Sequence, residues 1–240
     1  MPINKDMIEN IDDRMNRCPT GIIGFDELCE GGLLKNSVNF IQGNSGAGKT
    51  TFLLQFLYNG FMKYNENGLY VSFEETLGDL IETAKLLEMD FLGFESNNCQ
   101  FVKFKPNASL QEIQKEIIKR IGKYDIKRIC FDPINVFASQ LPKETSLRRQ
   151  LYEFFELLKE LDICVVIAGE TNNDLFGKKS KVPKETSYAN FFSDSIITMF
   201  SSGISGKGDR AIQILKMRKT KHFRGPVGME LTNQGIKILD

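Results

Sequence analysis

Short apolar runs alternate along the chain with longer segments in which apolar residues recur every three or four positions. Residues 37–41 form one run, and Phe52, Leu53, Phe56 and Leu57 then share one face of a helix. Strands that alternate with helices are typical of an α/β fold with a parallel sheet. The pattern predicts helices over residues 49–63, 77–88, 109–121 and 147–161, and strands over residues 37–41, 69–73, 101–104, 128–132, 163–171 and 194–200.

The C-terminal part follows a different pattern. Apolar and polar residues alternate over residues 212–217, which is the period of a strand, and residues 225–231 and 235–239 suggest a hairpin. This alternation displays Lys216 and Arg218 on one side, two residues apart. Such a pair of cations can bind a phosphate group held by an adjacent subunit. The alternative is an exposed edge strand whose lysines oppose aggregation.

Composition and charge describe an ordinary globular protein. The 240 residues are 41% hydrophobic and 26% charged, which suits one domain or a tight pair. Lysine plus arginine equals aspartate plus glutamate at 31 each, so no global field favours nucleic acid or an anionic membrane. The longest apolar run, residues 163–168, is too short to cross a bilayer. We therefore expect a cytoplasmic protein with no membrane partner.

Five scattered cysteines form no C-x-x-C pair, which argues against a disulfide framework and a zinc site. The cysteines are Cys18, Cys29, Cys99, Cys130 and Cys164.

A glycine-rich turn between the first long strand and the first helix carries the main chemical motif. Residues 43–50 match the P-loop pattern G-x-x-x-x-G-K-[ST]. Its backbone N–H groups and the start of the helix would bind phosphate, Lys49 would bind the β- and γ-phosphates, and Thr50 would bind Mg²⁺. The pattern does not distinguish ATP from GTP. The residues predicted to bind the nucleotide here are Asn44, Ser45, Gly46, Ala47, Gly48, Lys49, Thr50 and Thr51.

Acidic residues close three later strands. Glu74 and Glu75 follow the strand at residues 69–73, where one could activate water and the other support it; the alternative is acids in a first helical turn. Asp132 closes an apolar strand some 80 residues after the P-loop, as expected of a Walker B magnesium ligand. Glu170 and Thr171 end a further strand and are candidates to sense the γ-phosphate.

A second basic segment lies between residues 172 and 190. It contains Lys178, Lys179, Lys181 and Lys184, and it is read either as a solvated loop or as a contact for nucleic acid. Lys143, Arg148 and Arg149 would extend such a surface.

The sequence resembles the RecA/KaiC-like P-loop ATPases over residues 20–238. Three segments carry this resemblance: the segment that leads into and includes the P-loop at residues 20–51, the Phe-Glu-Glu at residues 73–75 and the Lys-Met-Arg at residues 216–218. The resemblance implies a twisted, mostly parallel sheet with helices on both faces and a small C-terminal antiparallel extension. It also implies an ATP- and Mg²⁺-dependent ring, a hexamer, in which Lys216, Arg218 and His222 act on the ATP of the next subunit. Lys219 replaces the glycine usual in this motif.

The resemblance also bears on organisation and activity. We expect an N-terminal arm over residues 1–17 and one ATPase domain over residues 18–240, with a single P-loop. Autokinase activity is not expected, because Asn190 and Phe191 occupy the positions of the phosphate acceptors. The leading hypothesis is a ring-forming ATPase. The alternatives are a RecA-like recombination accessory ATPase that binds DNA, and a switch that binds ATP without hydrolysing it.

Overall fold

The computed structural model describes residues 16–93, 98–105, 107–134, 144–171, 192–203 and 209–239. The strands are β1 (Arg17–Cys18), β2 (Leu33–Leu34), β3 (Val38–Gly43), β4 (Asn67–Ser72), β5 (Cys99–Lys103), β6 (Ile126–Asp132), β7 (Cys164–Glu170), β8 (Ser195–Ser201), β9 (Arg210–Met217), β10 (Val227–Thr232) and β11 (Gly235–Ile238). The helices are α1 (Lys49–Tyr64), α2 (Leu77–Leu86), α3 (Leu110–Tyr124) and α4 (Glu144–Glu160), with a short 3-10 helix at Asp26–Cys29.

Nine of these strands form one sheet in the order β11-β10-β9-β8-β3-β7-β6-β4-β5. The six strands from β8 to β5 run parallel, and β9, β10 and β11 are antiparallel to their neighbours. The mostly parallel α/β fold with an antiparallel C-terminal extension is therefore confirmed. β3 lies between β7 and β8, which places the segment that follows it near the middle of the sheet.

The central strands are continuous apolar runs because both faces of the sheet are covered by other parts of the chain. Along β3, Phe40 packs in the cluster with Phe131 and Phe154, whereas Ile41 packs in the opposite cluster with Phe52. Successive side chains of a strand point to opposite faces, so a strand covered on both faces needs apolar residues at every position. α1 covers one face, and α3 and α4 cover the other.

Helix ends follow the local signals in the sequence. Ser109 and Glu112 form a capping box at the start of α3, where the sequence pattern begins a helix. Asn65 ends α1 in a left-handed conformation with φ 54°. Thr76 caps α2 by accepting a hydrogen bond from the backbone N–H of Asp79.

β4 begins earlier than the sequence pattern predicts. Asn67 and Gly68 are its first residues, whereas the sequence pattern begins the strand at residue 69, and the pairing of β4 with β6 shifts register between them. A Cβ on Gly68 would lie 2.9 Å from a methyl carbon of Leu57. A glycine is therefore what allows β4 to pass under α1, and its presence in a strand reflects this close contact.

The N-terminal lead-in and the C-terminus pack together. Arg17 pairs with Leu34 across β1 and β2, and the backbone N–H of Ile238 donates to the carbonyl of Ile23. Within the described ranges, none of the helices combines the length and the apolar character that spanning a bilayer requires.

Candidate functional site

The glycine-rich turn after β3 closes tightly against the sheet. Gly46 and Gly48 adopt φ angles of +74° and +97°, which L side chains rarely adopt. Gly43 lies against β8, and a Cβ there would be only 2.3 Å from the carbonyl oxygen of Met199. These glycines let the backbone curl in front of α1, whose first residue is Lys49.

Asn44 anchors this turn to the end of β8. Its side chain donates to the carbonyl of Ser201 over 2.7 Å and accepts from the Ser201 N–H over 3.0 Å. The Asn44 side chain is therefore used to hold the loop in place, whereas we predicted it among the nucleotide-binding residues. Its backbone remains part of the turn.

Lys49 points back into the turn. Its ammonium donates to the carbonyls of Gly43 over 3.0 Å and Asn44 over 2.9 Å. Burial lowers the pKa of Lys49, and the carboxylates of Glu170, Asp132 and Glu74 oppose that shift. A partly desolvated cation held beside a curl of backbone N–H groups is well suited to bind phosphate.

Thr50 and Asp132 meet where α1 begins and β6 ends. The Thr50 hydroxyl donates to Oδ2 of Asp132 over 2.9 Å, and the hydroxyl of Tyr70, from β4, donates to the same oxygen over 2.5 Å. Burial raises the pKa of Asp132, although both hydroxyl groups act to lower it. Sequence reasoning missed Tyr70; the available signal was a tyrosine inside an apolar strand that ends near the two glutamates.

Glu74 and Glu75 lie between the end of β4 and the cap of α2. Two hydrogen bonds hold the backbone of this turn. Ser72 Oγ donates to the Glu75 carbonyl over 2.7 Å, and Lys103 Nζ donates to the Glu74 carbonyl over 2.8 Å. Burial raises the pKa of Glu75, and the nearby carboxylates of Asp132 and Glu74 raise it further. Neither glutamate is in the first turn of α2, which begins at Leu77.

One cavity of about 400 Å³ brings these groups together at the carboxyl end of the parallel strands. Ligands bind at this end in open α/β sheets. The lining residues are Ser45, Gly46, Gly48, Lys49, Thr50, Thr51, Ser72, Glu74, Glu75, Asp132, Pro133, Glu170 and Leu231. A larger cavity of about 660 Å³ lies between α3 and α4, and none of the predicted site residues lines it.

Glu170 and Thr171, the two candidates for sensing the γ-phosphate at the end of β7, differ in position. Glu170 lines the cavity, whereas the buried side chain of Thr171 does not, and its hydroxyl finds no hydrogen-bond partner among the residues described. Ala47 is buried beneath the turn.

Lys216 and Arg218 lie at the other end of the sheet. Met217 pairs with Ser195 at the start of β8, whereas Gly43 pairs with Met199 further along β8. The four steps along the strand from Ser195 to Met199 separate the two levels by about 13 Å at roughly 3.3 Å per residue. The finger residues, as we call Lys216 and Arg218, therefore do not reach the cavity of their own chain.

Asp194 holds the finger residues to the sheet. Its carboxylate accepts from Arg218 over 3.2 Å, from Lys159 over 3.2 Å and from the backbone N–H of Val38 over 3.0 Å. The Lys216 ammonium donates to the carbonyl of Ser193 over 2.7 Å, and burial followed by the charge of Arg218 lowers its pKa. Asp194, Lys159 and Ser193 were not predicted as partners of the fingers.

The segment after Arg218 turns at Lys219. This residue has φ +50°, a left-handed conformation that favours glycine, and it stands where the motif usually has a glycine. Thr220 accepts from Arg17 over 2.8 Å and donates to the Arg218 carbonyl over 2.9 Å, which supports the turn. His222 lies beyond it, with Nδ1 2.9 Å from the carbonyl oxygen of Phe223.

Some predictions fall outside the described residues. These are the basic segment at residues 178–184, Lys143, the side chain of Arg148, and the acceptor positions Asn190 and Phe191. Arg149 is described; it is exposed on α4 and pairs with Glu153 over 2.7 Å.

The fold and the cavity define a RecA-like P-loop domain. The family model described as "ATPase: KaiC" matches residues 18–240. The chain belongs to the KaiC family of ATPases, and it is an ATP-binding P-loop ATPase module.

Relatives agree with this assignment. The circadian clock oscillator protein KaiC of Parathermosynechococcus lividus is 32% identical over 229 residues, which is 91% of this chain and 41% of that protein. The KaiC of Synechococcus elongatus is 30% identical over 229 residues, or 91% of this chain and 43% of that protein. The chain thus spans less than half the length of these relatives. The crystal structure of a KaiC-like protein from Pyrococcus horikoshii OT3 superposes with a TM-score of 0.80 at 28% identity, over 93% of this chain and 99% of that one.

Proposed function

We propose that this chain is a Mg²⁺-dependent ATPase that assembles into a ring, a hexamer, and hydrolyses ATP between neighbouring copies. The separation of two sets of groups carries the proposal. The phosphate-binding residues line one cavity, whereas Lys216 and Arg218 are held at the opposite end of the same sheet. A neighbouring copy can bring its fingers to this cavity, and a chain's own fingers cannot.

The P-loop would bind the phosphates from one side. The backbone of residues 44–48 offers N–H groups, the start of α1 adds its positive end, and Lys49 supplies a full charge. Lys49 already lies against the turn through its bonds to Gly43 and Asn44. Phosphate oxygens would replace these carbonyl contacts of the ammonium group.

The donor set suits Mg²⁺. A hydroxyl from Thr50 and a carboxylate from Asp132, 2.9 Å apart, are the hard oxygen ligands that this ion prefers. Bound Mg²⁺ would neutralise charge that develops on the phosphates. Thr50 and Asp132 would hold the ion, directly or through water.

Glu75 is the residue we propose as general base. It lines the cavity, and its raised pKa makes its carboxylate a stronger base than an ordinary glutamate. Ser72 fixes the backbone of Glu75 from within β4. Glu74, whose backbone carbonyl is bound by Lys103, would support the water or face the next subunit.

Lys216 and Arg218 of the next copy would complete the site. Arg218 has 56% of its side chain exposed, so its guanidinium can reach an anion on another molecule. Two cations on the γ-phosphate stabilise the charge of the transition state. His222, which follows on the same segment, remains a predicted contact in the same interface.

Mixing two inactive variants tests this proposal. Lys49→Ala should remove phosphate binding, and Arg218→Ala should remove the finger. In rings that contain both variants at equal amounts, about a quarter of the interfaces would join an intact P-loop to an intact finger. We expect hydrolysis to return to about a quarter of the wild-type rate, when neither variant alone is active.

The control for exchange is a mixture labelled with two fluorophores. Energy transfer between labelled variants shows that mixed assemblies have formed. Mixed assemblies without recovered hydrolysis would contradict an active site shared between copies.

The other hypotheses depend on different observations. DNA binding through residues 178–184 and the expected absence of autokinase activity stay predictions, as does the division into an arm over residues 1–17 and one domain over residues 18–240. A switch that does not hydrolyse ATP needs no general base. Glu74, Glu75 and Asp132 all line the cavity, which favours hydrolysis over the switch.

A further inference from the structure

We infer that Tyr70 is a positioning residue that sets the orientation of the Asp132 carboxylate and thereby the affinity of the site for Mg²⁺. This inference rests on the proposed Mg²⁺-dependent function. It concerns a residue that does not line the cavity and whose hydroxyl contacts Asp132, so we infer that its influence passes through that carboxylate.

Tyr70 lies inside β4 and is fully buried. Its ring stacks on Phe101 with centroids 5.6 Å apart and planes inclined by 15°. In the sheet Tyr70 pairs with Cys130, which is two residues before Asp132 on β6. The side chains of Tyr70 and Asp132 therefore lie on the same face of the sheet, the face that α1 covers. The fold therefore aims the phenol along β6 at the carboxylate that closes this strand.

The Tyr70 hydroxyl has a specific partner. It donates to Oδ2 of Asp132 over 2.5 Å. A buried hydroxyl without a partner is energetically costly, so this contact strongly favours one orientation of both side chains. Stacking on Phe101 limits rotation of the ring, and the hydroxyl in turn limits rotation of the carboxylate.

Both donors to Asp132 use the same oxygen. Thr50 donates to Oδ2 from α1, and Tyr70 donates to Oδ2 from β4. Neither contact uses Oδ1, which is therefore the oxygen available to a metal ion or to its water. Because Thr50 would itself bind the metal, Tyr70 is the donor that remains dedicated to the carboxylate. Residues that orient a metal ligand in this way typically change metal affinity by about 10–100-fold.

Tyr70→Phe separates positioning from packing, because it keeps the ring on Phe101 and removes only the hydroxyl. The assay measures binding of a fluorescent ATP analogue as Mg²⁺ is titrated, and again in excess chelator. We expect unchanged binding in chelator and about a tenfold or greater increase in the Mg²⁺ concentration needed for half-maximal response. Tyr58→Phe is the control: it removes a tyrosine hydroxyl from α1 instead of β4 and should leave this concentration unchanged.

A double-mutant cycle with Asp132→Asn tests the route. If Tyr70 acts through Asp132, Tyr70→Phe should cause little further loss of Mg²⁺ response in the Asp132→Asn background. An equal loss in both backgrounds would overturn the inference, because it would show that Tyr70 does not act through Asp132. Thermal unfolding of each variant checks the folded fraction.

The outcomes distinguish the inference from the proposed function. A normal Mg²⁺ response in the wild type with an unchanged response in Tyr70→Phe would overturn the role of Tyr70 alone. Nucleotide binding by the wild type with no response to Mg²⁺ would overturn the proposed function, and this inference with it.

Discussion

Arg218 donates to Oδ1 of Asp194 over 3.2 Å, at the end of the sheet opposite the P-loop. The other oxygen of Asp194 accepts from the backbone of Val38, the first residue of the strand that carries the P-loop. The finger that we propose for the neighbouring site is thus bound to the strand that forms the chain's own site. Each subunit would contribute to two active sites through one rigid sheet.

Removal of the finger should affect hydrolysis and leave ATP binding intact. Arginine fingers typically contribute about 10³–10⁵-fold to the rate, so Arg218→Ala should lower kcat by about a thousandfold or more. Stability should change by less than about 0.5 kcal/mol, because Arg218 is largely exposed. Single-turnover hydrolysis and ATP titration measure the two effects. Arg224→Ala, at an exposed arginine nearby, is the control, and an equal effect of both changes would contradict a specific role.

Asp194→Asn should destabilise the fold. The carboxylate is buried and accepts hydrogen bonds from Lys159, from Arg218 and from the backbone N–H of Val38 at the start of β3. Its neutralisation therefore weakens three contacts. We expect a loss of about 1–3 kcal/mol in the free energy of unfolding, measured in urea. The matched control is Glu153→Gln, which breaks the exposed pair with Arg149 and should cost less than about 0.5 kcal/mol. Similar values for the two variants would show that Asp194 does not organise this end of the sheet.

Glu75→Gln should lower kcat by about 10²–10⁴-fold, as expected for loss of a general base, with ATP still bound. The pH profile gives a second measurement. Because burial and neighbouring carboxylates raise the pKa of Glu75, its basic form is lost at a higher pH than for an ordinary glutamate. The rate should therefore fall as the pH decreases through this raised value. If the rate of Glu75→Gln falls at low pH in the same way, the titrating group is not Glu75. Glu74→Gln is the comparison variant.

Asp132→Asn should stabilise the metal-free chain at neutral pH. Burial raises the folded-state pKa of Asp132, so the folded state binds its proton more tightly than the unfolded chain does. Stability therefore decreases as the pH rises from the unfolded pKa through the folded pKa. An amide carries no charge and avoids this loss. Thermal unfolding at neutral and acidic pH in chelator should show a gain only at the higher pH, and a lower melting temperature at neutral pH would contradict it.

Local motifs were enough to predict the fold class and most of the cavity. The glycine turn with Lys49 and Thr50, the pair Glu74 and Glu75, and Asp132 each follow from a few adjacent residues at the end of a strand. These strand ends meet because parallel strands present their carboxyl ends at one edge of the sheet. The chain therefore brings together in space groups as distant in the sequence as Thr50 and Asp132, which are 82 residues apart.

Contacts that depend on register between distant strands were not predictable. Tyr70 and Asp132 are 62 residues apart, and Asn44 and Ser201 are 157 apart. The partnership of Asp194 with Val38 spans 156 residues. A residue that contributes one polar atom to a distant partner does not change the hydrophobic periodicity of the sequence around it. Such contacts can therefore be identified only when the order of the strands is known.

The steady-state rate of ATP hydrolysis per subunit, measured over a wide range of protein concentration, tests the shared active site most directly. Lys49→Ala is the control for contaminating ATPases, and light scattering reports the size of the assembly at each concentration. We predict a rate per subunit that rises with concentration and saturates as oligomers replace monomers. A full rate in solutions that contain only monomers would contradict the proposal that a neighbouring copy supplies Lys216 and Arg218.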